Sequence, residues 1–491
     1  MDIPFNNLFT TLPQRFFERV DPTPVSAPKL IKYNDRLAEE LGLTQSESID
    51  EKTAANLFGG NALANGASPL SMTYGGFQFG HWNPQLGDGR AILLGEVIDT
   101  HGDRRDIQLK GAGPTPFSRG GDGRAGIGPV LREYIVSEAM SVLGVPTTRS
   151  LAVVATGEKV YRESAEPGAV LTRVAKSHIR VGTFQHFAYK QDFDAVKILA
   201  DHVIERHYPE AKENENPYLG LIISVLAAHA ETVSKWQLYG FIHGVMNTDN
   251  CTISGETLDY GPCAFMDIYH PDKVFSSIDF HARYSYSGQP KIAQWNLAGF
   301  SSALLPLMKN DQDKWVEKIN IAINDFPAQV NELYLEGMRK KLGLSSVQDG
   351  DEELARDLLG RMAQNRADFT QTFRLLSTVS GKNIVRDTAI RTTFQNPYHF
   401  DDWAVRWRSR LEKDGMKEDQ RVALMCSVNP KFIARNHLVA EVIEAAEGDD
   451  YEPLYTLLDI LEKPFEEQRV CARFSTPPRK DQVVHQTFCG T

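Results

Sequence analysis

The chain predicts an α+β fold of two lobes, and three features of the sequence carry that expectation. Between about Met72 and Val174, short β-runs are punctuated by glycine and aspartate clusters. A single amphipathic helical pattern interrupts them, and from about Phe193 onward the pattern turns helical. At 491 residues, with 42% apolar and 24% charged residues, the chain has the composition of an ordinary globular protein and enough material for more than one core. Wholesale disorder and fibrous classes are excluded.

In chain order, a Pro-rich arm that includes Asp21-Pro22-Thr23-Pro24 comes first. Strands are predicted at Ala91 to Leu94, Asp106 to Lys110, Leu151 to Val154 and Ala169 to Thr172, with a hairpin turn at His101-Gly102-Asp103 between the first two. Pro129 to Met140 has Pro near a helix start, apolar residues at mixed three- and four-residue spacing, and Gly144 as a stop. Ala195 to His207 and Tyr218 to Leu238 read as helices, Cys251 to Asp259 as a short hairpin around Ser254-Gly255-Glu256, and Leu304 to Glu467 as mostly amphipathic helix. The expected organisation is an N-terminal arm and extension (1–71), a β-rich N-lobe (72–190), a helical C-lobe (191–310) and a further helical region ending in a cysteine-containing tail (311–491). A small β-lobe with one inserted helix before a larger helical lobe is the outline of a protein-kinase-like fold, with additional C-terminal helices.

The formal net charge of −11 has the wrong sign for whole-surface affinity for nucleic acid or an anionic membrane, so any polyanion must enter a local basic pocket. Five widely spaced cysteines (251, 263, 426, 471 and 489), with no C-x-x-C pair, fit a reducing compartment rather than a disulfide framework or zinc module. Asp2, Arg15, Glu18 and Arg19 interrupt any N-terminal signal-like core, and the apolar run Leu219 to Ala228 falls short of the ~20 residues that span a bilayer. A cytoplasmic protein is expected.

Gly87-Asp88-Gly89-Arg90 sets two glycines just before a strand, where bare backbone can approach phosphate oxygens and Arg90 can grip them bidentately; the same pattern also serves as a plain tight turn. Lys110 ends a strand pattern and Glu133 follows 23 residues later in the predicted helix, the order in which kinase-like sites place a phosphate-binding lysine and the glutamate that orients it. The alternative is a surface ion pair. In His243-Gly244-Val245-Met246-Asn247-Thr248-Asp249-Asn250, followed by Asp259-Tyr260-Gly261, His243, Asn250 and Asp259 keep the kinase register of loop histidine and metal-binding pair. Val245, however, occupies the position of the catalytic base, and valine cannot accept a proton. Asp249 is the nearest carboxylate by sequence, either as a replacement base or as a loop cap, while His243 reads as structural. Arg119, Arg124, Arg173, Lys176 and Arg180 form a basic group on an acidic protein, either an anion pocket or separate surface pairs.

The segments Gly87 to Arg90, Leu109 to Ala125, Leu131 to Met140, His243 to Asn250 and Asp259 to Pro262 closely resemble the selenoprotein O family, and the resemblance covers essentially the whole chain. It implies a kinase-like fold holding ATP inverted, and transfer of AMP from ATP to Ser, Thr or Tyr hydroxyls of proteins with release of pyrophosphate; UMP transfer is also known in the family. Carried over by motif, Gly87, Gly89, Arg90, Lys110, Asp122, Gly123, Arg173 and Arg180 would contact the nucleotide and Glu133 would orient Lys110. Asn250 and Asp259 would bind Mg2+ or Mn2+, and Asp249 would accept the proton. Cys489 stands where eukaryotic relatives carry selenocysteine, so a redox role or an inert thiol is implied there. Tyr269 to Asp279 lacks a partner cysteine, with Cys263 the nearest alternative. Two other readings compete: a small-molecule or protein phosphotransferase, against which Val245 stands, and a non-catalytic ATP-binding scaffold, which would not need both Asn250 and Asp259.

Overall fold

A computed structural model of the protein describes residues 3–43, 49–381, 387–468 and 472–487. Its N-terminal part is built on strands β1 (Phe17–Arg19), β2 (Lys29–Tyr33) and β3 (Leu70–Met72), a small separate hairpin of β4 (Gly76–Gln78) and β5 (His81–Asn83), then β6 (Ala91–Ile98), β7 (Arg104–Lys110), β8 (Ala125–Gly126), β9 (Arg149–Tyr161) and β10 (Ala165–Ala175). The main sheet is antiparallel in the order β1-β3-β6-β7-β10-β9-β2, with β8 paired to β10. The four strands predicted from sequence form its centre. Both of its edges come from the first 33 residues, so the N-terminal segment is woven into the sheet.

Helices α1 (Asp35–Glu40) and α2 (Glu51–Phe58) cover one face of the sheet, where Phe58, Ile92, Ile107, Leu109 and Val154 are buried together. Helix α3 (Ile127–Val142) lies on the other, and the left-handed Gly144 follows it. The Pro-rich arm is pinned rather than loose: Thr23 N donates to Ala112 O at 2.8 Å, and Arg124 donates to the carbonyls of Thr23 and Pro24 at 3.1 and 3.2 Å.

The helical lobe contains α4 (Val181–Tyr189), α5 (Phe193–His207), α6 (Pro217–Tyr239), α7 (Gln289–Leu304) and the long α8 (Gln312–Leu342), followed by shorter helices to Ser475. Helix α6 is capped by the Asn216 side chain, begins with Pro217 and stops at left-handed Gly240. By length and composition it is apolar enough to cross a membrane, although the shorter run Leu219 to Ala228 predicted otherwise. It is a core helix, with 67% of its most apolar window buried, and it packs on α7 and α8.

The predicted hairpin from Cys251 to Asp259 is not formed. Gly255 turns the chain back on Thr252 O and Thr252 Oγ1 donates to Glu256 O, but the strand-type bridges of the two limbs go elsewhere, Thr252 to Arg180 and Thr257 to Thr147.

Near the C-terminus, helices Asn436–Glu447 and Glu452–Leu461 pack on α3. Arg132 of α3 donates to Asn436 Oδ1 at 2.7 Å, and Ile443 lies against Gly128, where an added Cβ would stand 3.1 Å from it. The appended helices therefore buttress the helix that carries Glu133. Sheet, inserted helix and helical lobe follow one another in the order of a protein kinase.

Candidate active site

A cavity of about 720 Å³ opens between the lobes. It is lined by Gly87, Gly89, Arg90, Lys110, Asp122, Gly123, Arg173, Arg180, Asp249, Asn250 and Asp259, so the sequence-predicted site residues that face a ligand converge on it, with Glu133 behind them. Seven lining side chains are cationic and four acidic, the reverse of the balance over the whole chain. Such a concentration in a cleft attracts anions.

Strand alternation explains much of the geometry. In Asp106-Ile107-Gln108-Leu109-Lys110, Ile107 and Leu109 face the apolar layer under α1 and α2, which turns Asp106, Gln108 and Lys110 to the opposite face. Lys110 Nζ lies 2.5 Å from Glu133 Oε2 and 2.8 Å from Asp259 Oδ1. Arg173, in cross-strand register with Gln108, donates to Gln108 Oε1, to Glu133 Oε1 at 3.0 Å and to Asp259 Oδ1 at 2.8 Å. Arg180 reaches Asp259 Oδ2 at 3.1 Å, Asp88 Oδ1 at 3.2 Å and the main-chain carbonyl of Asp249 at 2.6 Å. Glu133 thus orients two cations, not one.

Burial by itself would raise the Asp259 carboxyl, but Lys110, Arg173 and Arg180 overcome it and hold the group well below the usual carboxylate range. Asp249 shows the opposite outcome. Burial pushes it up to about 6, opposed by a hydrogen bond from Gln78 and by Arg180. Its Oδ2 accepts from Gln78 Nε2 at 3.1 Å, while Oδ1 is buried with no hydrogen-bond partner. His243 is structural, as expected: its Nε2 donates to Leu258 O at 2.8 Å and burial lowers the ring's affinity for a second proton. Val245 lines the cavity and brings no proton acceptor to it.

The glycine turn does more than reverse the chain. At Gly87 (φ +66°) an added Cβ would stand 2.2 Å from the Phe117 ring, so the turn packs against the Thr115-to-Ser118 loop in a way only glycine permits. Asp88, between the two glycines, is a residue that motif reasoning missed. Buried, it accepts from Met72 N, Tyr74 OH, Gln108 Nε2 and Arg180 Nη2 at 3.1 to 3.2 Å. It ties the turn to two strands and to the cation Arg180.

Gln108, Gln78 and Arg162 were also missed. The alternation around Gln108 contained the signal for it; Gln78 and Arg162 had none. Arg162 clasps Asp122 through two 2.9 Å bonds, so that pair presents a guanidinium to the cavity. The expected basic group divides: Arg119, Arg124, Arg173 and Arg180 line the cavity, whereas Lys176 lines a separate depression with Glu231, Lys235 and Glu256. Cys489 lies outside the described residues. Cys263 is fully buried beside Pro262, whose carbonyl accepts from Thr487 Oγ1 at 2.6 Å.

Asn250 and Asp259 suit a hard divalent cation by donor chemistry. Asn250 Nδ2 donates to Val245 O at 3.2 Å, which leaves its carbonyl oxygen for a ligand, and Asp259 supplies a carboxylate. Among the described residues no group of three or more His, Cys, Asp or Glu side chains could hold a metal by itself. Two protein oxygens completed by phosphate and water is the usual pattern for magnesium with nucleotides.

A strand lysine, a glutamate on the inserted helix, an Asn-bearing loop and a downstream Asp, set between a β-lobe and a helical lobe, define a kinase-like protein whose usual base position is apolar. The chain belongs to the protein adenylyltransferase SelO family, whose model matches residues 1–462. It is 55% identical to the protein nucleotidyltransferase YdiU of Bradyrhizobium sp. (strain ORS 278) and 56% identical to that of Bradyrhizobium diazoefficiens, each over 99% of both chains. The protein nucleotidyltransferase YdiU of Rhodopseudomonas palustris (strain BisB18) is 55% identical over 99% of both chains. Among solved structures, ROP2 from Toxoplasma gondii, described as having a protein-kinase fold and no enzymatic activity, aligns over 78% of this chain and 96% of that one. Its 9% identity and TM-score of 0.27 carry no argument about this molecule. Family and relatives make the chain a nucleotidyltransferase.

Proposed function

We propose that the protein transfers AMP from ATP to Ser, Thr or Tyr hydroxyls of other proteins and releases pyrophosphate, with the nucleotide inverted relative to a kinase. The observation that carries this reading is the exchange of roles in the loop: Val245 stands where a phosphotransferase keeps its base, while Asp249, a carboxyl raised by burial, lines the same cavity. In the inverted orientation the β- and γ-phosphates lie among the arginines and the α-phosphorus faces the acceptor.

Lys110, Arg173 and Arg180 neutralise the triphosphate, with Arg90 and the glycine turn holding its outer oxygens. Asn250 and Asp259 would hold Mg2+ or Mn2+, which supplies charge neutralisation and alignment of the phosphates. The Asp249 carboxylate takes the proton of the incoming hydroxyl as the hydroxyl oxygen bonds to the α-phosphorus, and the bond from that phosphorus to the bridging oxygen of pyrophosphate breaks. A carboxyl raised to about 6 is a better proton acceptor than an ordinary aspartate yet ionised at neutral pH.

The test is intact-mass spectrometry of the protein and a generic protein acceptor after incubation with ATP and Mg2+ or Mn2+, alongside Asp259→Ala, with UTP in parallel. Adducts of AMP mass that are absent from the variant are expected. Adducts of phosphate mass would mean a conventional nucleotide orientation and overturn the reading; UMP adducts in the UTP arm would extend the donor range.

A further inference from the structure

The β4–β5 hairpin belongs to neither face of the main sheet, and its bonds go to the loop that carries Asp249. Three consecutive hairpin residues grip three consecutive loop residues: Phe79 N donates to Asn247 Oδ1 at 3.0 Å, Phe77 N to Thr248 Oγ1 at 2.7 Å, and Gln78 Nε2 to Asp249 Oδ2 at 3.1 Å. The approach is close enough to demand glycine next door, since a Cβ on Gly76 would stand 2.6 Å from Asp249 Oδ1.

Aromatic contacts brace the hairpin against the helical lobe. The Phe77 ring lies 5.0 Å from Trp82 and 5.3 Å from Trp295 of α7, and Phe79 lies 5.2 Å from Tyr284. Tyr284 OH in turn donates to Asn247 Oδ1 at 2.7 Å.

We propose that Gln78 is a positioning residue of the transfer reaction, holding the Asp249 carboxylate by Oδ2 while the close-packed Gly76 backs Oδ1, so that the group cannot turn away from the acceptor hydroxyl. This rests on the reading of Asp249 as proton acceptor and adds what sets its direction. An aspartate side chain can rotate about two bonds, and the other cavity-facing donor near it, Arg180, is engaged with the Asp249 main-chain carbonyl rather than its carboxylate. Of the two carboxylate oxygens, Oδ2 has the bond to Gln78 and Oδ1 has none. Removing the amide frees the carboxylate to turn toward the cations of the phosphate side, and misplacement of a reacting group by about 1 Å costs about 100-fold in rate.

The experiment compares steady-state AMP transfer by the wild-type chain, Gln78→Leu, Asp249→Asn and the double variant, with melting curves for each. Gln78→Leu is expected to lower kcat about 30- to 100-fold while KM for ATP stays within twofold, because the phosphate side is untouched. In the Asp249→Asn background the same change should lower residual transfer by less than twofold, since a residue that acts through the carboxylate has nothing left to act on. Gly76→Ala, whose added methyl would stand 2.6 Å from Asp249 Oδ1 and displace the carboxylate from its other oxygen, should mimic Gln78→Leu. A kcat within threefold of wild type, an undiminished effect in the Asp249→Asn background, or a rise in KM that tracks a loss of melting temperature would each overturn the assignment. Absence of any AMP adduct with the wild-type chain would instead overturn the transfer reading itself, and the positioning role with it.

Discussion

Two buried charge networks lie on one face of strand β7, four residues apart, and they are built to opposite ends. Around Asp106, the carboxylate accepts from Arg206 at 2.6 Å, His178 N at 2.8 Å and His178 Nδ1 at 3.0 Å, and Arg206 also pairs with Glu96 at 2.7 Å. Those charges pair with one another, and their side chains are almost wholly buried. Around Lys110, the cations Lys110, Arg173 and Arg180 share Glu133, Asp259 and Asp88, but the cluster opens on a space lined by four more arginines. A closed network ties segments together; an open one with surplus cations waits for an anion. The difference lies in what the network faces, since the two draw on the same residue types.

The largest separation of the two should come from Lys110→Ala. Transfer is expected to fall at least about 10³-fold, equivalent to about 4 kcal/mol of transition-state stabilisation. Glu133 keeps Arg173 as a partner, so the melting temperature should hold within a few degrees. A variant that keeps a tenth of wild-type activity would break the distinction from the open side.

Asp106→Ala should do the converse. Leaving the two His178 donors without their acceptor and Arg206 with Glu96 alone as carboxylate partner is expected to cost about 1–3 kcal/mol in denaturant unfolding, while AMP transfer per folded molecule changes less than threefold. A selective loss of transfer without loss of stability would show that the closed network belongs to the site after all.

The smallest effect sharpens the comparison through pH. Burial lowers His202 to about 4 and His207 well below its ordinary value, and both pack near Arg206. Their folded affinity for protons is below that of the unfolded chain, so between about pH 6.5 and 4 the unfolded state binds more protons and stability falls as pH falls. For His202 alone the loss is about 3 kcal/mol across that window. Unfolding curves at pH 7 and 4.5 should show a steeper decline for wild type than for His202→Leu; parallel declines would assign acid sensitivity elsewhere.

How much of this was legible beforehand varies with how far each feature depends on distant chain. The β7 pattern announced its own strand, because alternation is local, and the same alternation placed Gln108 and Lys110 on one face. Lys110, Glu133, Asn250 and Asp259 were found because their order along the chain mirrors their places in the fold. Strands β1, β3, β4 and β5, three residues each, are too short for periodicity to register and exist through the partners they meet. Gln78 and Asp88 were invisible for that reason: nothing in Phe77-Gln78-Phe79 or Gly87-Asp88-Gly89 points to a loop some 170 residues on, or to an arginine 92 residues away. The hairpin expected at Cys251 to Asp259 had the right turn but limbs that found better partners elsewhere.

The weaving of the first 33 residues into both borders of the sheet has a consequence for biosynthesis. Among the described residues strand β2 pairs with β9 alone, about 120 residues later, and β1 must wait for β3. As the nascent chain leaves the ribosome, β1 waits about 50 residues for its partner and β2 about 120, and an unpaired edge is a site for pairing with the wrong chain. The border strands are made before their partners, so the yield of folded protein is expected to fall when chaperone supply is limiting, which expression with and without added chaperones would read.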